Sequence, residues 1–425
     1  MTTTNSKEFS LASSIVGQKR RFFRLIGAAA ILLLIALYGS GVKAGTTEVI
    51  YSLAGDDGGE YTDTDVAIDA EGNLYGTSVL GGDFGGGTVW QVSPVGGGWV
   101  HTVLYSFTGG ADGGEPYKGV TLDAAGNLYG TAVTGGSGSC EGGCGVTYKL
   151  TKSGTTWTQS VIHAFTGGAD GSGPGARVAV DNRGNVYGMT PTGGANGLGT
   201  IYALHAKSNG SWAFRVIHTF TGGSDGSSGS AGKLLLRGGR VYGAATTGGT
   251  SGAGVVFELT PTQTGEWGFK TLYSFRGAPD GVFPYGAVLF DAAGRLYGTT
   301  YYGGTNDLGT VYQLSPRGTG EWNERVLYSF QAGSDGNSSI SNLVSDAAGN
   351  LYGTTSEGGL GSGTIFKLTR GQGGTWTESI PHSFQGSPDG AFPYAGMVGD
   401  GAGSFYGATV HGGADGDGAI YKFTP

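Results

Sequence analysis

Aromatic residues recur in glycine-rich segments of this sequence and could form a ligand-binding surface. Five of them follow Asp-Gly pairs, in the contexts DGGEPY, DGVFPY and DGAFPY: Tyr117, Phe283, Tyr285, Phe392 and Tyr394. Planar rings next to acidic side chains on a rigid scaffold suit the binding of a carbohydrate or a peptide. The same rings could instead fill the spaces between structural repeats, and the sequence leaves both interpretations open.

One segment near residue 60 is rich in acids and could bind calcium. It contains Asp56, Asp57, Glu60, Asp63 and Asp65. Calcium takes about six to eight oxygen ligands, and several carboxylates close together can supply them. Most other Asp-Gly segments carry one acid, which is typical of a solvated turn. No other cofactor motif is present in the sequence, and solvated turn acids are the competing interpretation of this segment.

A further acid recurs in the pattern Asp-x-x-Gly, as in DAAGN. One copy of the pattern has Leu236 instead. An Asp at the start of a turn accepts hydrogen bonds from backbone N–H groups, and the Gly supplies a positive φ. The pattern therefore predicts a structural role for these carboxylates: Asp69, Asp123, Asp181, Asp291, Asp346 and Asp400.

Histidine and cysteine form no recognisable catalytic set. His163, His218 and His382 stand where other copies of the same segment have Tyr, which indicates a half-buried position with a polar tip. Cys140 and Cys144 lie in the segment SCEGGC. Two thiolates are too few for a zinc site, and in an exported chain such a pair predicts a local disulfide.

The composition indicates a folded chain with little helix. The 425 residues include 90 Gly and 12 Pro, with 13% charged and 11% aromatic residues. A disordered chain is normally rich in charge and poor in aromatic residues. Gly at this density argues against helices, because each interior Gly costs about 1 kcal/mol relative to Ala. The net charge of −8 argues against nucleic acid as a partner, since nucleic acid requires a basic surface.

These residues are positioned by a repeat of about 55 residues. The segment NLYGT at Tyr75 returns in six related forms, and a Trp and an Asp-Gly pair return at matching steps. Each unit contains four short strand-like segments joined by turn sequences and ends in a longer connection. The repeat therefore predicts an all-β, seven-bladed β-propeller of four-stranded blades over residues 45–425. A β-solenoid is the alternative.

The two ends of the repeat array predict how the ring closes. Thr46–Gly55 matches a fourth strand without the other three, and Gly418–Pro425 matches a third strand without a fourth. Pairing these segments would complete the last blade and remove an exposed sheet edge. We therefore expect a closed, monomeric ring.

The first 44 residues have the organisation of a secretory signal peptide. A cluster of four cations in residues 18–24 precedes the apolar run Leu25–Gly39, and Val42 and Ala44 provide small residues at a cleavage site. An uncleaved anchor is the alternative, and the segment RRFF also resembles a twin-arginine export signal. We expect residues 1–44 to be removed and the mature chain to be secreted, periplasmic or at the cell surface, without membrane contact.

These motifs make the chain similar to the GloVer tandem-repeat family of exported bacterial proteins. The matching segments are GTIFKLT (Gly363–Thr369), TWTESI (Thr375–Ile380), LYSFQAGSDG (Leu327–Gly336) and DAAGNLYGTT (Asp346–Thr355). The resemblance covers all seven units and implies export and tandem repeats, but no established activity or catalytic residue. The order of strand, Gly-Gly, strand and Trp also resembles the more general kelch repeat.

The sequence therefore predicts a non-catalytic extracellular interaction protein that binds a glycan, a peptide or another protein. The alternative is an enzyme, a hydrolase or lyase that acts on extracellular glycans. A hydrolase would need two convergent carboxylates about 5–10 Å apart. The sequence identifies no such pair and favours the non-enzymatic interpretation.

Overall fold

A computed structural model describes residues 45–55, 59–227, 232–318 and 320–425. Regular structure in these residues consists of β-strands and two short 3-10 turns, Gly333–Asp335 and Gln372–Gly374. None of the helical segments described is long and apolar enough to cross a membrane. The expected signal peptide, residues 1–44, lies outside the described residues.

Seven four-stranded antiparallel sheets form the blades of a ring. The innermost strands of blades 1 to 7 are β2 (Ala67–Ile68), β6 (Thr121–Leu122), β10 (Ala179–Val180), β14 (Leu235–Arg237), β19 (Leu289–Phe290), β24 (Val344–Ser345) and β29 (Val398–Gly399). The second strands are β3 (Leu74–Ser78), β7 (Leu128–Ala132), β11 (Val186–Thr190), β15 (Arg240–Ala245), β20 (Leu296–Thr300), β25 (Leu351–Thr355) and β30 (Phe405–Thr409). The third strands are β4 (Thr88–Val95), β8 (Val146–Ser153), β12 (Thr200–Ala206), β16 (Val255–Pro261), β22 (Thr310–Pro316), β26 (Thr364–Arg370) and β32 (Ala419–Thr424). The outermost strands are β5 (Gly98–Ser106), β9 (Thr156–Ala164), β13 (Trp212–Thr219), β17 (Trp267–Ser274), β23 (Trp322–Ser329), β27 (Trp376–Ser383) and, in blade 7, β1 (Thr46–Ser52).

The ring closes through the first strand of the chain. β1 pairs antiparallel with β32, so that Thr46 lies opposite Thr424 and Ser52 lies opposite Ala419. Blade 7 therefore has the strand order β1-β32-β30-β29. Beyond the strands, the N–H of Gly55 donates to Asp417 Oδ2 at 2.9 Å. The predicted seven-bladed propeller and its closure by the N-terminal strand are confirmed.

The apolar core lies between the blades. The buried side chains of the described residues form seven clusters, and each cluster combines residues from two neighbouring blades. The recurrent Trp contributes at the start of the outer strand, where it packs edge-on against the Tyr of the Tyr-Gly motif in the preceding blade. Trp157 and Tyr75 are an example, with ring centroids 6.4 Å apart. The repeated aromatic residues therefore hold adjacent blades together.

The Gly of the Tyr-Gly motif lies in the second strand and faces a large aromatic residue of the third strand. Gly130 pairs with Tyr148, and a Cβ added to Gly130 would collide with the tyrosine ring. Glycine normally weakens a strand, but here its missing side chain makes room for the ring that covers it. The seven covering residues are all fully buried: Trp90, Tyr148, Tyr202, Phe257, Tyr312, Phe366 and Tyr421.

The crossing loops are the connections from the outer strand of one blade to the inner strand of the next, and those into blades 2, 5 and 7 are bonded to both of their blades. The N–H of Phe283 donates to the Ala253 carbonyl of blade 4 at 2.9 Å, and its own carbonyl accepts from the Tyr301 N–H of blade 5 at 3.0 Å. Phe283 has a φ of 57°, a left-handed conformation that is uncommon outside glycine. Glu115 and Phe392 bridge their blades in the same way, with φ values of 56°.

The proline after the bridging residue packs against a second repeated glycine, the one that precedes the third strand. Pro284 follows Phe283, and its Cδ would lie 2.5 Å from a Cβ on Gly254. Prolines 116, 174 and 393 approach Gly87, Gly145 and Gly363 similarly. A Cβ on Gly254 would also lie 2.6 Å from the Thr246 carbonyl oxygen, and in blade 5, whose crossing loop into blade 6 has no proline, a Cβ on Gly309 would lie 2.5 Å from the Thr300 carbonyl oxygen. The end of the second strand therefore excludes a side chain at this glycine, and the proline adds a further contact where it is present. Two short sheets reinforce these loops, β18 (Gly281–Val282) with β21 (Tyr302–Gly303) and β28 (Gly390–Ala391) with β31 (His411–Gly412).

Candidate functional site

The carboxylate of the Asp-x-x-Gly segment organises its own turn. Asp69 Oδ1 accepts from the N–H groups of Glu71 and Asn73 at 3.0 and 2.8 Å. Asp69 Oδ2 accepts from Asn73 Nδ2 at 2.8 Å and from Tyr75 Oη at 2.9 Å. Burial and this carboxylate raise the pKa of Tyr75, so the phenol remains a donor. The Asp, Asn and Tyr of the segment DAEGNLYG (residues 69–76) thus form one hydrogen-bonded unit with the predicted structural role.

The Asp of the crossing loops closes the loop against the end of the outer strand. Asp112 Oδ2 accepts from Tyr105 Oη at 3.0 Å and from the Thr108 N–H at 2.9 Å. In blade 3 the Nε2 of His218 lies 3.0 Å from Asp225 Oδ2. Burial lowers the pKa of His218, which favours the neutral ring with Nε2 as the donor. Tyr and His therefore interchange because either can bond the same carboxylate.

The acids of the candidate calcium segment have separate partners. Asp63 forms an ion pair with Lys118 Nζ at 2.7 Å. Asp65 is buried, and its carboxylate accepts from Asn342 Nδ2 at 2.7 Å and from the Gly396 N–H at 3.1 Å. Glu60 is exposed. No cluster of three or more potential metal ligands is found among the described residues, and Asp56 and Asp57 lie outside them. Calcium binding stays a prediction.

Cys140 and Cys144 are joined by a disulfide in the loop between β7 and β8 of blade 2. Cys140 Sγ lies 3.3 Å from Ser172 Oγ of the crossing loop. A Cβ added to Gly167 would lie 2.5 Å from Cys140 Sγ. The bond therefore holds the lengthened loop of blade 2 against the crossing loop that leads to blade 3.

The five predicted aromatic residues are half-buried and lie in three crossing loops, which emerge on one face of the ring. Phe283 and Tyr285 precede blade 5, Phe392 and Tyr394 precede blade 7, and Tyr117 precedes blade 2. Burial raises the pKa of the Tyr117, Tyr285 and Tyr394 hydroxyls, which stay neutral donors. Four of the five thus lie as two pairs, in the loops into blades 5 and 7, and Tyr117 of the loop into blade 2 lies within electrostatic range of Tyr61.

Rings that the sequence analysis did not select extend both pairs. Tyr285 contacts Tyr301, with centroids 5.8 Å apart, and Tyr302 lies 4.5 Å from Tyr301 and 6.1 Å from Phe283. On the other side, His411 contacts both Phe392 and Tyr61, at 6.0 and 5.7 Å. We call this set the aromatic mouth: Tyr61, Phe283, Tyr285, Tyr301, Tyr302, Phe392, Tyr394 and His411.

The aromatic mouth has a gap at blade 6. The crossing loop into blade 6 carries Ser338 and Ile340 at the positions that hold aromatic residues in the loops into blades 5 and 7. Tyr285, Ile340 and Tyr394 line one cavity of 30 Å³ that also reaches Lys118 and Asn342. Besides burial, Tyr61, Tyr301 and Glu357 raise the pKa of Tyr394, so the two aromatic walls lie within electrostatic range of each other. The gap, which we call the groove, therefore separates two aromatic walls, and its enclosed part is about the size of one water molecule.

The central channel below the mouth is lined by one residue from each blade. This residue precedes the buried residue that leads into the innermost strand, and we call the seven positions the channel ring: Asp65, Gly119, Arg177, Lys233, Ala287, Asn342 and Gly396. Five of these residues line a common cavity of 180 Å³: Asp65, Arg177, Lys233, Ala287 and Asn342. The channel therefore contains charged side chains from three different blades.

The sequence matches the model of the Gloeobacter/Verrucomicrobia repeat in three overlapping segments, residues 36–233, 137–359 and 229–425. The chain belongs to this repeat family. The expected family resemblance is thereby confirmed, whereas no protein of curated function matches the sequence.

Solved structures resemble this member of the Gloeobacter/Verrucomicrobia repeat family in fold. A protein from Lactobacillus plantarum has a TM-score of 0.50 and 15% identity, over 83% of this chain and 99% of that chain. A gluconolactonase from Xanthomonas campestris has a TM-score of 0.41 and 13% identity, over 92% of each chain. At 15% identity, the likeness to the Lactobacillus plantarum protein shows a shared fold alone.

Arg177 and Lys233 were not among the candidate residues from the sequence, because neither belongs to a motif. The signal that could have found them is a comparison of the repeats. At the channel-ring position, the Gloeobacter/Verrucomicrobia repeat of this chain has no preferred residue, and cations occur there in two consecutive blades. Tyr301 and Tyr302 were overlooked for a related reason, since they precede a Gly-Gly pair and not an Asp-Gly pair.

Proposed function

We propose that this protein is an extracellular binding propeller that takes a glycan segment in the groove of the aromatic mouth. The observation that carries the proposal is the pair of aromatic walls beside the crossing loop of blade 6. Sugar rings present apolar C–H faces that pack on aromatic rings, and their hydroxyls need polar partners at the edges. Glu357, Lys118 and the tyrosine hydroxyls supply such partners.

The exposure of the rings supports a binding surface over a structural plug. Tyr61 and Tyr302 are each 40% exposed, whereas the aromatic residues of the blade core, such as Tyr148, are fully buried. Half-buried rings lose little entropy on binding, because one side of each is already fixed by its neighbours. A ligand that lies on the exposed faces of these rings would therefore require little rearrangement of them.

The state of two acids near the mouth, Asp63 and Asp65, favours binding over hydrolysis. A glycosidase needs two carboxylates that are free to donate or accept a proton or to attack the sugar. Asp63 is paired with Lys118, and Asp65 accepts from an amide side chain and a backbone N–H. These fixed partners leave neither carboxylate poised for catalysis.

An extracellular location agrees with three features of the chain. The first 44 residues carry the sequence pattern of an export signal. The acidic net charge of −8 disfavours anionic lipid and nucleic acid as partners. The Cys140–Cys144 disulfide suits an oxidising compartment.

The test is affinity electrophoresis of the protein without residues 1–44 in gels that contain xylan, β-glucan, pectin or a casein hydrolysate. We expect retardation by one of the polysaccharides, and loss of at least about 90% of it in the double variant Tyr285→Ala/Tyr394→Ala, because each lost stacking contact costs about 1 kcal/mol or more. Phe84→Ala is the matched control, since Phe84 is 64% exposed in a loop of blade 1 and belongs to no aromatic pair in the described structure.

Thermal melting of the same variants separates the two interpretations of these rings. A binding surface loses retardation with little change in melting temperature, and Tyr285→Phe/Tyr394→Phe retains most of the binding. A drop of about 3 kcal/mol or more in unfolding free energy would instead assign the rings to the core. Retardation by the casein hydrolysate alone, or by none of the four additives, would contradict a glycan ligand.

A further inference from the structure

We propose that the central channel binds a small oxyanion, a carboxylate or a phosphate group, between Arg177 of blade 3 and Lys233 of blade 4. The proposal goes beyond the aromatic mouth and does not depend on it. It rests on the charges of the channel ring, on their hydrogen-bond partners and on the cavity between them.

The two cations lie on neighbouring blades, and the acid of the channel ring, Asp65 of blade 1, lines the same cavity. The channel-ring positions on either side, in blades 2 and 5, are Gly119 and Ala287. The acid of the ring, Asp65, is already satisfied: its two carboxylate oxygens accept from Asn342 Nδ2 and from the Gly396 N–H, on the side of blades 6 and 7. The carboxylate is thus bonded to neutral donors, and of the three charged residues that line the cavity two are cations.

Arg177 is fixed in place by neutral acceptors. Its Nε donates to Thr121 Oγ1 at 3.1 Å, and its Nη1 donates to the backbone carbonyl of Asp65 at 3.4 Å. These bonds to neutral acceptors orient the guanidinium. Burial lowers the pKa of Arg177, and the Asp65 charge offsets only part of this effect. A guanidinium held in this way is preorganised, because its side-chain conformation is already fixed before a ligand binds.

Lys233 has no acceptor of its own among the described residues. Burial and the nearby Arg177 charge lower the pKa of Lys233 to about 7, against a smaller opposite effect of Asp65. Two cations in a narrow channel repel each other, and the repulsion is stronger than in bulk water. An anion between them would relieve it and supply the acceptor that the ammonium lacks.

The cavity has room for such an anion. Its volume of 180 Å³ exceeds that of one water molecule, which takes about 30 Å³ in the liquid. Arg177 and Lys233 line it together with Ala287 and the apolar side chains Val288, Leu234 and Met397. Guanidinium and ammonium groups bind carboxylate and phosphate oxygens through strong, charge-assisted hydrogen bonds. The apolar walls would strengthen these bonds by excluding water.

The test is isothermal titration calorimetry of the protein without residues 1–44, at pH 6.5 and constant ionic strength. The probes are sodium phosphate and sodium acetate, balanced with sodium chloride. We expect one saturable site for at least one probe. The probe with the lower dissociation constant identifies the class of oxyanion that the site prefers. Lys233→Gln should raise its dissociation constant at least about tenfold, and Lys233→Arg should restore most of the affinity because it restores the charge.

Two controls keep this test independent of folding and of the mouth. Lys207→Gln removes an exposed lysine from the same protein and should leave the affinity unchanged. Tyr285→Ala/Tyr394→Ala should also bind the anion normally, even if it has lost a glycan. Absence of a saturable site for both probes, or equal affinity in Lys233→Gln and the parent protein, would overturn the proposal.

Discussion

The bridging residues of the crossing loops and the residues of the channel ring lie within a few positions of each other in a repeat. The bridging residues share one backbone conformation, whereas the side chains of the channel ring differ from blade to blade. At the bridge, Glu115, Phe283 and Phe392 adopt the same left-handed conformation, each bonds the blade before and the blade after its own loop, and each is followed by a proline. At the channel ring, seven blades contribute one acid, two cations, one amide and three small residues.

The difference follows from what each region must accomplish. A ring closes only if every blade is related to the next by the same rotation, so the backbone that sets this rotation cannot differ much between blades. The channel ring sets no such angle, and its side chains face a cavity instead of a neighbouring blade. The side chains of the channel ring can therefore differ between repeats without disturbing the ring, and we expect its charged residues to have a function.

Loss of ring closure should have the largest effect on the protein. Deletion of residues 46–55 removes β1 and leaves β32 without its outer partner, so blade 7 presents an unpaired edge. We expect aggregation or a fall in melting temperature of at least about 10 °C, because several kcal/mol of pairing and burial are lost. Size-exclusion chromatography and thermal melting by circular dichroism measure both. A monomer with unchanged melting would refute closure through β1.

A substitution at the bridge should have the next largest effect. Gly254→Ala places a methyl group 2.5 Å from Pro284 Cδ, at a φ of 99°. Gly252→Ala is the matched control, because its φ is 76° and no atom lies within 4 Å of the added Cβ. In both variants, the left-handed conformation of the new alanine lowers the unfolding free energy by about 1–2 kcal/mol.

The excess cost of Gly254→Ala over Gly252→Ala then measures the close contacts of the added methyl group, with Pro284 and with the carbonyl oxygens of Thr246 and Ala245. We expect Gly254→Ala to lose at least about 2 kcal/mol more in urea denaturation, since the proline ring is held by the crossing loop and cannot retreat freely. Equal losses in the two variants would mean that the proline contact does not fix the angle between blades.

The bridge and the channel also differ in what the sequence could predict about them. The period of the Tyr-Gly, Trp and Asp-Gly motifs was sufficient for the blade count and the closure, because each motif reports a local backbone requirement. The left-handed bridge at Phe283 was hidden, since a bulky residue there gives no sign of positive φ. Arg177 and Lys233 are 56 residues apart in the sequence and become neighbours only through the rotation of one blade to the next.

The outer part of the blade interface offers a third test, through acids that replace a neutral side chain of the repeat. In blade 2, Gln159 Nε2 donates to the Asp112 carbonyl of the preceding crossing loop at 3.0 Å. Glu324 and Glu378 stand at the same position in blades 5 and 6, and the Oε1 of each is buried without a hydrogen-bond partner. Burial, and then Asp280 and Asp335 respectively, raise the pKa of Glu324 to about 7 and of Glu378 to about 8.

These raised values make the protein less stable at alkaline pH. The folded state holds protons that the unfolded state releases near pH 4.5, so the unfolding free energy falls as the pH rises from 4.5 to about 8. Glu324→Gln cannot ionise and can donate as Gln159 does. We expect it to gain about 1–3 kcal/mol at pH 8.5 and close to nothing at pH 4.5, by urea denaturation at both values. Glu321→Gln is the control at an exposed acid, and a gain that does not depend on pH would contradict this account.

The smallest expected effect comes from two tyrosines that cover equivalent glycines in neighbouring blades. Tyr202 Oη lies 2.8 Å from Thr147 Oγ1 of blade 2, whereas Tyr148 Oη is buried without a partner among the described residues. The reason is one residue: blade 1 has Val89 where blade 2 has Thr147. A buried hydroxyl without a partner costs more than it contributes.

Tyr202→Phe should therefore lose about 1 kcal/mol of unfolding free energy, because it removes a bond and leaves Thr147 unpaired. Tyr148→Phe should be neutral or gain up to about 1 kcal/mol, since only an unsatisfied hydroxyl is removed. Val89→Thr in the parent protein should recover part of the same energy by giving Tyr148 the partner that Tyr202 has. Urea denaturation of the three variants measures these differences. Equal losses for the two Phe variants would show that the hydroxyl of Tyr148 is satisfied in solution, and that the two blade interfaces are more alike than their side chains indicate.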